Sequence, residues 1–102
     1  TKQYAKAVED YNRVLQVDKN NVQMYFYRGV AYLNNGNFQK AINDFSTVIQ
    51  MKPQHKLAYY NRGIAYFKLG KNQKALQDLQ TAEKLGQKVN PQLFKILKSK
   101  KE

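Results

Sequence analysis

A displacement of 34 residues carries residues 22–55 onto residues 56–89 without a gap. Eleven positions are then identical: Tyr25/Tyr59, Arg28/Arg62, Gly29/Gly63, Ala31/Ala65, Tyr32/Tyr66, Gly36/Gly70, Gln39/Gln73, Lys40/Lys74, Ala41/Ala75, Asp44/Asp78 and Thr47/Thr81. The same displacement backward overlays YAKAVEDYNRVLQ at 4–16 on FQKAINDFSTVIQ at 38–50. A fixed period of this length implies a helical array whose units bury their apolar faces against one another. The expected fold is therefore all-α, and it is built from stacked helix pairs.

The local patterns place the helices. Tyr4, Ala7, Val8, Tyr11, Val14 and Leu15 form one apolar stripe, which predicts a helix over 1–17. In the repeat register this is the second helix of a pair. Residues 22–34 are apolar nearly all round, so this helix is expected to be covered on more than one side. Residues 38–51 return to a one-sided stripe, which Pro53 stops, and the next pair follows at about 56–69 and 72–85. Gly36, Gly70 and Gly86 suit the left-handed position that ends a helix. Asn90 before Pro91 signals a further helix start. The second pair carries Asn72 for Phe38, Leu79 for Phe45 and Gln87 for Pro53, and it is expected to pack less tightly.

The spacing of Tyr25, Gly29, Tyr32, Ala41, Phe45 and Pro53 resembles the tetratricopeptide repeat over nearly the whole chain. The resemblance implies a right-handed superhelix of antiparallel helix pairs. Its parts are a leading half-repeat at 1–21, complete repeats at 22–55 and 56–89, and a capping helix within 90–102. It also implies a non-catalytic scaffold that binds a peptide in its concave groove. The first helix of each pair lines that groove. The positions selected are Phe26, Tyr27, Val30 and Asn34, then Tyr60, Asn61, Ile64 and Lys68, then Phe94, Lys95 and Lys98 of the capping helix. Peptide contact is expected at Tyr27, Val30, Tyr60, Asn61 and Ile64. One subclass clamps the C-terminal carboxylate of heat-shock chaperones with Lys and Asn, then Asn, then Lys and Arg. Here one frame offers Phe26, Val30, Asn61, Pro91 and Lys95, and the other offers Tyr27, Leu57 and Asn61. Neither builds the clamp, so chaperone-tail binding is not expected.

Composition adds charge to this picture. Lys and Arg outnumber Asp and Glu by 18 to 7, a net charge of +11, which favours acidic partners. Lys84, Lys88, Lys95, Lys98, Lys100 and Lys101 concentrate that charge near the end. The alternative functions are polyanion binding, to nucleic acid or an anionic membrane, through this lysine-rich face, or service as the targeting module of an enzyme whose catalytic domain lies outside the chain. Nucleic acid is disfavoured because lysine dominates over arginine and no aromatic platform is interleaved. Catalysis, cofactors and metals are not expected, since the sequence has one histidine, no cysteine and no glycine-rich phosphate loop. His55, in the turn after Pro53, reads as an exposed turn or cap residue rather than a base or ligand.

Asp10, Asp44 and Asp78 recur with the repeat and read as structural partners of Arg28 and Arg62. The arginines are expected to pair within their own repeats, at Asp44 and Asp78, or across the preceding boundary, at Asp10 and Asp44. Lys6, Lys40 and Lys74 stand four residues before the aspartates on the same helix face. The leading helix lacks a partner, so the chain reads as a fragment of a longer protein. Tyr4, Val8 and Leu15 are expected to cover the next helix, whereas Ala7, Tyr11 and Val14 face an empty place. Self-association through that edge is expected, either about a two-fold axis or by receiving another copy's capping helix at 91–100.

Overall fold

A computed structural model describes residues 2–100, so Thr1, Lys101 and Glu102 lie outside the described residues, and with them the predicted start of the first helix and one lysine of the basic cluster. The described chain is six helices: α1 (Lys2–Val17), α2 (Val22–Asn34), α3 (Phe38–Met51), α4 (Lys56–Lys68), α5 (Asn72–Lys84) and α6 (Pro91–Ser99). Each packs on its neighbours in sequence, and α2 also meets α4. The result is an elongated body of 43 × 28 × 20 Å.

Three turns repeat one piece of chemistry. Gly36, Gly70 and Gly86 have φ of 83°, 78° and 105°, the left-handed region that a side chain disfavours. The amides of Asn37, Lys71 and Gln87 then reach back five residues to the carbonyls of Tyr32, Tyr66 and Ala82 at 2.8, 2.9 and 2.9 Å. The orphan carbonyls at each helix end are thereby satisfied, and the chain reverses tightly.

Gly29 and Gly63 serve packing instead. A Cβ on Gly29 would lie 2.7 Å from Phe45 Cε1, and one on Gly63 would lie 3.0 Å from Leu79 Cγ. Each glycine lets the two helices of its pair close on a large side chain. Phe45 and Leu79 are both fully buried, with Ala41 and Ala75 beside them. Leu79 thus fills the place of Phe45 at a slightly wider approach, and Asn72 is buried where Phe38 stands in the first pair.

Arg28 and Arg62 lock the repeats together. Arg28 donates from Nε and Nη2 to Asp44 at 2.8 and 2.6 Å, and Arg62 donates to Asp78 at 2.7 and 2.8 Å. Their remaining nitrogens turn to the preceding pair, where Nη1 of Arg28 reaches Asn12 at 2.7 Å and Nη1 of Arg62 reaches Ser46 at 3.1 Å. Tyr25 and Tyr32 flank Arg28, as Tyr59 and Tyr66 flank Arg62. Hydrogen bonding to the carboxylates raises both guanidinium pKa values above the ordinary arginine value.

Of the two pairings left open, the within-repeat one is found, at Asp44 and Asp78, and Asp10 does not join Arg28. It meets Arg13 of its own helix at 3.2 Å in an exposed pair, and Asn12 takes the role of reaching across the boundary. Lys40 and Lys74 do not pair with the aspartates four residues on. Their ammonium groups lie over the rings of Tyr32 and Tyr66 at 5.6 and 5.7 Å, because the carboxylates are already buried under arginine.

Candidate peptide-binding groove

The N-terminal ends of α2 and α4 are built alike. Asn21 caps α2 by accepting from the Met24 amide at 3.1 Å, and His55 Nδ1 caps α4 by accepting from the Ala58 amide at 3.1 Å. The tyrosine three residues inside each helix holds down the turn before it, since Tyr25 Oη donates to the Lys19 carbonyl at 3.0 Å and Tyr59 Oη to the Pro53 carbonyl at 2.9 Å. Side-chain hydrogen bonds therefore tie each turn to the helix that follows it.

Between these ends lies a cavity of about 680 Å³ lined by Val22, Gln23, Lys52, Pro53, Gln54 and His55. A second, of about 420 Å³, follows at Lys56, Leu57 and Leu85 and shares Gln54 and His55 with the first. Joined at these two residues, the cavities make one trough. The His55 ring lies 4.9 Å from that of Phe26, tilted by 38°, and Phe26 in turn packs 5.8 Å from Phe45. Leu57 is 41% exposed. No acidic residue lines either cavity, and Lys52 and Lys56 stand at the rim. Such a trough buries an apolar side chain and attracts negative charge beside it.

The residues selected from sequence fall into three places. Phe26 lines neither cavity and lies against the ring of His55, which lines both. Tyr27, Val30 and Asn34 line a separate slot of about 290 Å³ with Ala7 and Tyr11 of α1, where the Tyr11 and Tyr27 rings stand 6.1 Å apart. Tyr60, Ile64 and Phe94 are half-buried against Ala75, Leu79, Val89 and Leu97, so much of their surface is taken by the C-terminal core. Asn61 is half-buried, whereas Lys68, Lys95 and Lys98 are exposed. His55 is a cap, as its position after Pro53 implied, but it is half-buried beside Phe26 rather than exposed. Its place as the hinge between two cavities, and those of Val22, Gln23 and Leu57, escaped the sequence reading. Pro53 followed by His55 at a helix start was the available signal, because a cap side chain stands where the groove passes.

A family profile described as Tetratricopeptide repeat matches residues 31–89, and one described as TPR repeat matches residues 1–36. Among solved structures, the Arabidopsis OM64 TPR domain is 27% identical, with a TM-score of 0.89 over 96% of this chain and 83% of that one. The second TPR domain of the human RPAP3 protein, in complex with the HSP70 peptide SGPTIEEVD, is 30% identical, with a TM-score of 0.85 over 95% of this chain and 82% of that one. The second TPR of Spaghetti (RPAP3), bound to the HSP90 peptide SRMEEVD, is 32% identical, with a TM-score of 0.77 over 80% of this chain and 76% of that one. No curated protein matches the chain in sequence. Profile, fold and the recurring Arg–Gly, Asp–Phe and Asp–Leu packing agree that the chain belongs to the tetratricopeptide repeat family.

Proposed function

We propose that this domain is a peptide-binding interaction module whose trough at the starts of α2 and α4 takes an apolar side chain flanked by acidic residues. The observation that carries this is the apolar cavity of about 680 Å³, without an acidic group in its lining and with Lys52 at its edge. Support comes from two relatives at about a third identity, each bound to a short peptide rich in glutamate. The mode differs from a carboxylate clamp. Of the clamp positions in either frame, Phe26, Val30, Asn61, Pro91, Tyr27 and Leu57 bring no cation and Lys95 stands alone, so the ligand's side chains, more than its terminus, carry recognition.

Although the missing clamp argues against recognition of a chaperone tail by its terminus, SGPTIEEVD carries an apolar side chain beside two glutamates, and calorimetric titration with it tests this reading. Replacing both glutamates by glutamine is expected to weaken binding on the order of fivefold, as two rim charges of about 0.5 kcal/mol each would. Amidating the C-terminal carboxylate is expected to change affinity less than that. Equal binding by the glutamine peptide, or loss of binding on amidation alone, would contradict the proposal.

A further inference from the structure

Asn21 and His55 hold the same position in successive repeats, 34 residues apart, and each caps the helix that follows it. They differ in what becomes of the side chain's donor. The Asn21 amide donates to Asp18 at 3.1 Å, so both of its polar atoms are used inside the chain. At the second boundary the residue in the place of Asp18 is Lys52, whose side chain accepts nothing. His55 therefore keeps a donor without an internal acid to take it. Its Nδ1 accepts from the Ala58 amide, which requires that nitrogen to be unprotonated and leaves the ring proton on Nε2. Among the described residues no buried side-chain nitrogen or oxygen lacks a partner, and Nε2 has no hydrogen-bond partner, so this N–H reaches solvent. Backbone, cap and ring contacts hold it in place. The His55 amide donates to the Lys52 carbonyl at 3.0 Å, Nδ1 is tied to α4, and the ring lies against Phe26. The same ring lines both cavities of the trough, and Lys52 lines the larger one.

We propose, on the reading that the trough holds the peptide, that a glutamate carboxylate of the ligand takes the place that Asp18 fills at the first boundary, accepting from His55 Nε2–H with Lys52 beside it. A carboxylate suits this place better than a neutral acceptor, because a charge-assisted hydrogen bond is about twice as strong as a neutral one and the trough lining holds no acid to compete. His55 is then the residue that reads an acidic position in the ligand, while the apolar lining takes the neighbouring side chain. The first boundary offers no such reader, since Asp18 already occupies the donor of Asn21.

The test titrates wild type, His55→Asn and His55→Ser by calorimetry with SGPTIEEVD and with its counterpart carrying glutamine for both glutamates, each protein checked for folding by circular dichroism. Both replacements keep an acceptor for the cap, but Asn also offers a side-chain N–H, as Asn21 does to Asp18, whereas Ser is too short to reach the ligand. His55→Ser should weaken the glutamate peptide by about fivefold and the glutamine peptide by less than about twofold. His55→Asn should recover most of that loss. Nitrogen chemical shifts of the ring, unambiguous in a chain with one histidine, should report the Nε2–H tautomer in the free protein and a change at Nε2 on saturation with the glutamate peptide. Equal losses in the two variants, equal losses for the two peptides, no loss at all, or an Nδ1–H tautomer would overturn the role of His55 and leave the trough as the peptide site. Failure of SGPTIEEVD to bind the wild type would instead overturn the trough, and the role of His55 with it.

Discussion

Helices α1 and α3 share a pattern residue for residue, yet α3 buries Ala41, Ile42, Asp44, Phe45 and Val48 whereas α1 buries Leu15. Propensity and amphipathicity do not explain the contrast, for the stripes match. The neighbours do. α3 has α2 on one side and α4 on the other, while α1 has α2 alone among the described residues. In a solenoid, burial belongs to the interface between units more than to the unit.

The contrast predicts unequal responses to equal substitutions. Phe45→Ala should cost about 3–5 kcal/mol, enough to unfold a marginal domain, whereas Tyr11→Ala, in the half-buried counterpart, should cost about 1 kcal/mol or less. Urea midpoints would measure both, and similar losses would show that α1 is as well packed as α3. Next is the ion-pair series. Asp44→Ala strands a guanidinium whose exposure is 21% and should cost about 3 kcal/mol, while Asp10→Ala breaks an exposed pair and should cost no more than about 0.5 kcal/mol. A smaller effect separates the two complete repeats. Gly29→Ala forces a methyl into the rigid Phe45 ring and should cost about 2 kcal/mol, against about 1 kcal/mol for Gly63→Ala, where the Leu79 side chain can rotate away. Smallest of all, Lys40→Ala removes a cation from the exposed side of Tyr32 and should cost about 0.5 kcal/mol.

Legibility in the sequence follows the same division. The 34-residue identities placed the helices to within a residue at their ends, because glycine and proline punctuate them and the stripes have one reading. The Arg–Asp alternatives stayed open, since Asp10 and Asp44 hold the same position in successive repeats on either side of Arg28; the geometry that brings the α3 carboxylate, and not that of α1, under its fork is tertiary. The candidate site was least legible. Tyr27, Val30 and Asn34 occupy family groove positions, but whether such residues face a groove or an open edge depends on what covers α1. His55 could be read as a cap from its neighbours in sequence, while its stacking on Phe26 arises only when the second turn of α2 and the start of α4 meet.

The two surfaces of α2 can be told apart, the trough beside Phe26 and His55 and the slot beside Tyr11 and Tyr27. The direct test of the central claim is the affinity of SGPTIEEVD for Leu57→Asp and for Tyr11→Lys, measured side by side with circular dichroism to establish folding. Leu57→Asp places a negative charge in the trough and should weaken the peptide by at least about tenfold, whereas Tyr11→Lys should leave its affinity within about twofold of wild type. Loss of binding in Tyr11→Lys with Leu57→Asp unaffected would move the ligand to the α1 edge and contradict the assignment of the trough as the recognition site.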